Sequence, residues 1–366
     1  MNLYLAEVLQ QPEIFRQIGT NYRTGTLFFD LAARLNHRFF KRVIFSGMGS
    51  SLYAAYPAYL YLLEQGFSAN LCDTSELLHY YPSALQPEDL VVLVSQSGES
   101  FEIKALLASL QAAGRPLILG ATANPESYLG QHADLVLDIG CGKEKAIASS
   151  KSYIATVITL YLLARQLAKI KGSGSAVPGD AAADNVAADA VMALAEGAAF
   201  YLNGWEEEAG RLVDFVDPIS HPGQTYFLIG RGPALSSANQ GALTLRETTR
   251  LNAASLSGGQ FRHGPREMLG PEFLAMIFAP SGKTSELGYK LAREVCQYGG
   301  RVILLTDGVE SDLRQTLVVK VPSCPDEFLM AAACELPIQL LAYGVSLARG
   351  LVPGASQIIS KITSEE

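Results

Sequence analysis

The chain has 366 residues, almost half of them hydrophobic, which is more than one compact core accommodates and comfortable for two domains. Its 28 Lys and Arg against 36 Asp and Glu give a net charge of −8, and no long basic run overrides that balance, which argues against a surface that coats nucleic acid. Five cysteines (Cys72, Cys141, Cys296, Cys324, Cys334) are odd in number and widely spaced, with no C-x-x-C pair, so they fit buried thiols in a reducing compartment better than a disulfide framework or a zinc site.

The N-terminus has no basic region followed by a long apolar run, so no signal peptide is expected. The first forty residues read as helices packing against the first domain. The first β-like run, Arg42-Val43-Ile44-Phe45, ends in the glycine turn Gly47-Met48-Gly49-Ser50-Ser51. Val91-Val92-Leu93-Val94 leads into Ser95-Gln96-Ser97-Gly98-Glu99-Ser100, and further runs follow at 115–119 and 135–137. Next come Ala148-Ser149-Ser150-Lys151 and a long helical pattern near 150–169, whose most apolar part, Ile154 to Leu167, is broken by Thr and Arg and reads as too short for a membrane span. Lys171 to Gly179, rich in Gly, Ser and Pro, reads as a flexible connection, and the alanine-rich segment to about Phe200 as a helix.

The pattern then begins again. Tyr226-Phe227-Leu228-Ile229 ends in Gly230-Arg231-Gly232, Ala275-Met276-Ile277-Phe278 leads into Ala279-Pro280-Ser281-Gly282, runs follow at 301–305 and 317–319, and a long helical pattern lies near 328–348. Continuous apolar runs separated by helical patterns indicate parallel sheets covered on both faces. A repeat of this length indicates a duplicated domain. The expected fold class is therefore α/β, two tandem doubly wound parallel-sheet domains, with N-terminal helices and the first domain over 1–170, a linker and leading helix over 171–200, and the second domain over 201–366.

Open parallel sheets bind ligands at the carboxyl ends of their strands. Gly49-Ser50-Ser51, Ser95 to Ser100 and Ala148 to Lys151 are read as falling there, each offering hydroxyls and backbone N–H groups at a helix start, a combination that suits a phosphate. A serine at such a place is also an ordinary helix cap; three clusters at equivalent strand ends favour a site. Gly47-Met48-Gly49-Ser50-Ser51-Leu52 and Gly230-Arg231-Gly232-Pro233-Ala234-Leu235 both lack the third glycine of the dinucleotide fingerprint. Gly282-Lys283-Thr284 resembles the end of a P-loop, but Ile277 stands where the first glycine is required. In the second half, Glu247 follows Leu243 and Leu245 on a helical stretch, where partial burial would raise its pKa and make it a proton carrier; the plainer reading is a surface ion pair with Arg246 or Arg250. His263 lies in a glycine-rich loop, where an exposed or capping histidine is the plainer reading.

These segments resemble the sugar isomerase (SIS) family, in particular its double-domain group that includes the isomerase half of glucosamine-6-phosphate synthase and the fructosamine-6-phosphate deglycases. The resemblance covers nearly the whole chain and is carried by Ser95-Gln96-Ser97-Gly98-Glu99-Ser100, by Glu144 to Lys151, and by the spacing of Glu247 to His263-Gly264-Pro265. It implies a flavodoxin-like fold in each domain. It also implies that Ser50, Ser51, Ser95, Gln96, Ser97 and Ser100 bind the sugar phosphate, that Ile147 and Ser149 contact the sugar, and that Glu247 is the general base moving a proton between C1 and C2. His263 would assist ring opening, reaching the site of the neighbouring subunit of a homodimer, and Lys361 would match the lysine that forms a Schiff base in the synthase.

Departures bound the transfer. These 366 residues include no glutaminase domain and no N-terminal nucleophilic cysteine, Thr244 stands where the synthase has a lysine, and the loop Ala279 to Lys283 lacks the Ser-Gln-Ser pattern. The expectation is a cytoplasmic enzyme that needs neither metal nor other cofactor and binds neither nucleic acid nor membrane. Its expected activity is deglycase or deaminase on a 6-phosphorylated amino sugar; aldose–ketose isomerisation and non-catalytic phosphosugar sensing are the alternatives.

Overall fold

A computed structural model describes residues 2–28, 31, 34–35, 38, 40–110, 115–173, 181–217, 223–308, 314–356, 358, 360 and 361. Most of the glycine- and serine-rich connection, 174–180, lies outside them. The strands are β1 (Arg42–Gly47), β2 (Ala69–Asp73), β3 (Asp89–Val94), β4 (Leu117–Thr122), β5 (Leu135–Asp138), β6 (Thr225–Gly230), β7 (Asn252–Ser257), β8 (Leu274–Phe278), β9 (Arg301–Thr306) and β10 (Thr316–Lys320). The labelled helices are α1 (Leu3–Leu9), α2 (Gln11–Arg23), α3 (Ser50–Glu64), α4 (Thr74–Tyr80), α5 (Phe101–Ser109), α6 (Tyr128–His132), α7 (Lys151–Ser173), α8 (Ala181–Asn203), α9 (Trp205–Val216), α10 (Ala234–Thr249), α11 (Gly258–Arg262), α12 (Ser285–Gln297) and α13 (Met330–Ala348).

The strands form two five-stranded sheets, ordered β2-β1-β3-β4-β5 and β10-β9-β8-β6-β7, and every described pairing is parallel. Counted from each domain's first strand, both follow the same 2-1-3-4-5 winding, the flavodoxin-like order with its switch point between the first and third strands. The central strands are wholly buried, β3 and β8 along their entire length, because helices cover both faces of a parallel sheet. One core packs Ile44, Val91, Leu93 and Ile118 against Ile103, Leu106 and Leu107 of α5; the other packs Ile229, Ala275, Ile277, Val302 and Leu304 against Leu291 and Val295 of α12.

Two strands carry no continuous apolar run and were not expected. β2 and β7 are edge strands, each with a single buried residue, so half of each faces outward and interrupts the hydrophobic pattern.

The chain divides into two compact units. The first holds Glu13–Lys145, Lys151–Met192 and Ile358–Glu366 with the first sheet; the second holds Met1–Pro12, Ala146–Ser150 and Ala193–Gln357 with the second. The opening helix α1 thus departs from the expectation that the N-terminal helices pack on the first domain. It packs on α13 in the second unit, where Asn2 donates to the Pro353 carbonyl at 3.2 Å and Gln11 Nε2 to Gln339 Oε1 at 2.5 Å.

A second correction concerns the apolar stretch expected to be too short for a span. α7 runs 23 residues, and α7 and α13 both have the length and composition to cross a membrane. Both are instead largely buried inside the protein: Thr156, Thr159 and Tyr161 of α7 are as buried as the leucines beside them, and every described residue of α13 from Met330 to Ala342 is buried.

Candidate functional site

The carboxyl ends of β1 and β3 lie side by side, with Gly47 in register with Val94. Gly47 is required by this approach: a Cβ there would stand 3.0 Å from the Val94 carbonyl oxygen and 3.1 Å from the Leu52 nitrogen. The two segments leaving these strands each lead into a helix. α3 begins at Ser50 after Gly49, whose φ of 48° is a glycine conformation, and α5 begins after Ser100. Neither helix start has a side-chain cap on its N–H groups. Two uncapped helix N-termini at neighbouring strand ends present several N–H donors and the positive ends of two helix dipoles, the usual physical basis for holding a phosphate.

The Ser95–Ser100 loop is braced from behind. Ser95, nearly buried, accepts a hydrogen bond from the Gly98 nitrogen at 3.1 Å, and Ser97 Oγ accepts from the Glu99 nitrogen at 3.2 Å. The Gln96 carbonyl accepts from the Ala123 nitrogen at 3.1 Å, and that of Gly98 from the Leu129 nitrogen at 3.0 Å. Glu99 faces away from a phosphate role: its carboxylate accepts from the Tyr128 nitrogen at 2.8 Å and pairs with Lys104 at 2.7 Å, and these contacts hold it below the usual carboxylate range. Ser50, Ser51, Gln96, Ser97 and Ser100 are all partly exposed around this edge.

Ile147 and Ser149 belong to the second unit. The Ala146 nitrogen donates to Glu7 at 3.1 Å and the Ile147 nitrogen to the Gly354 carbonyl at 2.9 Å, which ties this strip to α1 and to the segment after α13. Both side chains are partly exposed.

Lys361 is not a solvated tail residue. Its ammonium sits 2.7 Å from Glu144 Oε2 in the first unit, with only 20% of its side chain exposed and none of the glutamate's. Glu144 also accepts from the Ser152 nitrogen at 3.0 Å and the Ser152 hydroxyl at 2.6 Å. Burial alone would push Glu144 up; the Lys361 charge and the Ser152 donors outweigh it and hold the carboxyl below its ordinary value.

In the second unit, Glu247 lies on the last turn of α10, partly buried between exposed Arg246 and buried Thr248. Thr244, on the same helix, is fully buried and accepts from Gln240 Nε2 at 3.1 Å, so a neutral hydroxyl fills a position that gives no charge to the site. His263 is the C-cap of α11 and exposed, its nitrogen donating to the Gln260 carbonyl at 3.0 Å. It is followed by Gly264 at φ 133°, which turns the chain sharply.

The second sheet's counterpart of the Ser95–Ser100 loop is already engaged by carboxylates. The Ser281 nitrogen donates to Asp307 at 2.6 Å and the Lys283 nitrogen to Glu327 at 3.0 Å. A Cβ on Gly282 would lie 2.6 Å from the Glu327 carboxyl carbon. Negative groups thus stand where a phosphate would dock, which accords with the loss of the Ser-Gln-Ser pattern there.

One residue at a strand end escaped notice in the sequence. Arg231, directly after β6, lays its guanidinium over Gly258, where a Cβ would stand 2.5 Å from Nε. The sign available in the sequence was the adjacent pair Gly258-Gly259.

The chain belongs to the SIS domain family, which it matches over residues 40–165 and 220–349. It is 27% identical over 368 residues to the glutamine–fructose-6-phosphate aminotransferase (isomerizing) of Pyrococcus horikoshii, covering 99% of this chain and 57% of that relative. To the enzyme of the same description from Gloeobacter violaceus it is 30% identical over 357 residues, 95% of this chain and 56% of the other. The chain therefore spans a little over half the length of these curated relatives. Its fold matches that of the C-terminal domain of glucosamine-fructose-6-phosphate aminotransferase from Francisella tularensis with a TM-score of 0.81, at 21% identity, over 96% of this chain and 98% of that one.

Proposed function

We propose that this SIS-family chain is a phosphosugar-processing enzyme, a deglycase or deaminase of 6-phosphorylated amino sugars that needs no cofactor. The observation that carries the reading is the braced Ser95–Ser100 loop beside Ser50 and Ser51, with two uncapped helix starts at adjacent strand ends. In this reading Ser50, Ser51, Ser95, Gln96, Ser97 and Ser100 hold the 6-phosphate, using binding energy remote from the reacting carbons to position them. Ile147 and Ser149 contact the sugar. The family membership and the relatives named for fructose 6-phosphate support a phosphosugar substrate.

The chemistry follows from a proton beside a carbonyl. With an amine on C1 and the ketone at C2, His263 assists ring opening and Glu247 takes the C1 proton, leaving an enaminol. Returning a proton to C2 moves the double bond to C1 and nitrogen, giving an imine; water adds to it, the C1–N bond breaks, and a free amine and an aldose 6-phosphate result. A positioned base contributes about 10²–10⁴-fold. Lys361 is the candidate for a Schiff base with the open-chain ketose, and that step requires its proton to leave the Glu144 pair first. We read the protein as cytoplasmic and homodimeric, with His263 serving the neighbouring subunit's site; its exposure at the end of α11 supports such a reach.

Turnover by purified protein tests the reading, with products followed by proton NMR or mass spectrometry. The panel holds fructose 6-phosphate, glucosamine 6-phosphate and several 6-phosphofructosyl- and 6-phosphoglucosyl-amino acids, with Glu247→Gln as control. Release of a free amino acid and a hexose phosphate, lost in the variant, establishes the deglycase; ammonia from glucosamine 6-phosphate establishes the deaminase. Hexose-phosphate interconversion alone makes the protein an isomerase, and binding without turnover makes it a sensor.

A further inference from the structure

The two halves of the chain leave their first strands by the same glycine turn, with one difference. β1 ends in Gly47 and continues as Met48-Gly49; β6 ends in Gly230 and continues as Arg231-Gly232, so the second unit has a guanidinium where the first has a thioether. Gly49 and Gly232 both take positive φ, 48° and 53°. The carboxyl end of such a strand is where open parallel sheets take ligands. Gly230 is in register with Ser257, so the Gly258-Gly259 pair leaving β7 lies alongside it. A Cβ on Gly258 would meet Arg231 Nε at 2.5 Å and Cζ at 3.0 Å, and one on Gly259 would come within 3.8 Å of Nη1. The guanidinium occupies a slot that only glycine leaves open.

Charge around the slot is out of balance. Among the described residues Arg231 has no ion-pair, hydrogen-bond or ring partner, and the charge that acts on it is another cation, Arg262. Arg262, at the end of α11, pairs with Glu294 at 2.9 Å, and Arg266 pairs with the same carboxylate. Three guanidiniums thus share one carboxylate, a local excess of two positive charges in a chain whose net charge is −8. Glu327, near Gly232, is engaged by the Lys283 nitrogen at 3.0 Å. Burial, and then the like charge of Arg262, depress the Arg231 pKa. Like charges gathered in a partly buried place are unfavourable until an anion arrives. All of these residues lie in the second unit.

We propose that Arg231 and Arg262 form a second anion site, built within the second unit, that takes a phosphate group, free or as a monoester, in addition to the one assigned to the serine loops. A phosphate group carries about two negative charges at neutral pH, which matches the local excess, and planar guanidinium forks take its oxygens in pairs. The second unit lacks the Ser-Gln-Ser loop, so its means of holding an anion is charge rather than hydroxyls. The site does not depend on the deglycase reading.

Calorimetric titration of the full chain with inorganic phosphate tests it. Native protein should show two binding events per chain. Arg231→Met should weaken one of them about 10–100-fold, the worth of one charge-assisted bidentate pair, and leave the other unchanged. Gly258→Ala keeps every charge but pushes the fork aside, and it should weaken the same event even if the methionine variant fails to fold. Gly98→Ala, in the serine loop of the first unit, should spare that event. Repeating the titration with fructose 6-phosphate separates the two sources: a tighter Arg231-dependent event assigns the site to a monoester, an equal one to free phosphate. Binding that neither Arg231→Met nor Gly258→Ala alters, whether one event or two, overturns the proposal, as does no binding of either compound. Failure of the serine-loop reading would look different, as a single event that Arg231→Met weakens and Gly98→Ala spares.

Discussion

Lys361 Nζ and Glu144 Oε2 lie 2.7 Å apart, joining a residue near the chain's end to a carboxylate with no exposed surface. The pair closes the Glu144-to-Ser152 turn, because the same carboxylate also takes two hydrogen bonds from Ser152. Its folded-state pKa is depressed, so the native state binds fewer protons than the unfolded chain around the ordinary carboxylate value. The stability it contributes is therefore present above that value and lost as pH falls through the lower folded one. Lys361→Met strands the buried carboxylate and should cost about 3–5 kcal/mol at neutral pH. Thermal melts across pH should show that difference shrinking toward acid, as Glu144 takes up a proton in the variant; an equal loss at every pH would show that the pair's charge is not what matters.

The same pair bears on covalent chemistry. An ammonium held in an ion pair has no lone pair with which to attack a carbonyl. The proposed Schiff base therefore needs bound substrate to open the pair, and borohydride added with a 6-phosphoketose at neutral pH should then trap the reduced sugar on Lys361. Recovery of that lysine unmodified would show that the pair stays closed and leave Lys361 without a covalent role.

Glu247→Gln keeps shape and removes the proposed base. Turnover should fall about 10²–10⁴-fold. Binding of the phosphosugar should stay within a few-fold of native, since the serine loops proposed to hold the phosphate are on the other sheet. Loss of binding together with loss of turnover would make Glu247 a structural residue of α10 rather than the base.

What the sequence disclosed and what it hid follow physical lines. The buried central strands announce themselves as unbroken apolar runs, and the repeat of those runs carries the duplicated fold. Edge strands β2 and β7 are half-solvated and left no such run. The serine clusters at Ser50 and Ser95 were legible because small polar residues directly after an apolar strand are informative. The destination of Ile147 and Ser149 was not, because the strip 146–150 is held by long-range hydrogen bonds from its backbone nitrogens to the Glu7 carboxylate and the Gly354 carbonyl. Arg231 lay in full view inside an incomplete glycine motif; its slot depends on Gly258, a neighbour only once β6 and β7 pair.

Gly98 is the glycine of the Ser95–Ser100 loop, and it leaves no room for a side chain. Its φ is 66°, and an added Cβ would fall 1.9 Å from Ser127 Oγ and 2.6 Å from Ser127 Cβ. Gly98→Ala should destabilise the protein by about 1–3 kcal/mol and displace the loop. Phosphosugar affinity should drop more than stability alone explains. Gly142→Ala makes the comparison: φ there is 61° with nothing within 4 Å of the new methyl, so it bears conformational strain without a clash and should leave binding untouched. Equal affinities in the two variants would separate the loop's geometry from phosphate binding.

Glu335 makes the opposite electrostatic case to Glu144. It is fully buried on α13, and neither carboxyl oxygen has a hydrogen-bond partner among the described residues. Burial pushes its pKa well above the ordinary value, so the native state holds a proton that the unfolded chain releases as pH rises. Stability from this residue is thus complete below the ordinary carboxylate value and is lost progressively as pH climbs above it. Glu335→Leu removes both the titration and two unsatisfied oxygens, and should raise stability at neutral pH by about 1–3 kcal/mol. Urea unfolding at pH 8 and at pH 5 should show the larger gain at pH 8. A variant less stable than native at pH 8 would mean that the buried carboxylate has a partner holding its charge, and that α13 depends on it.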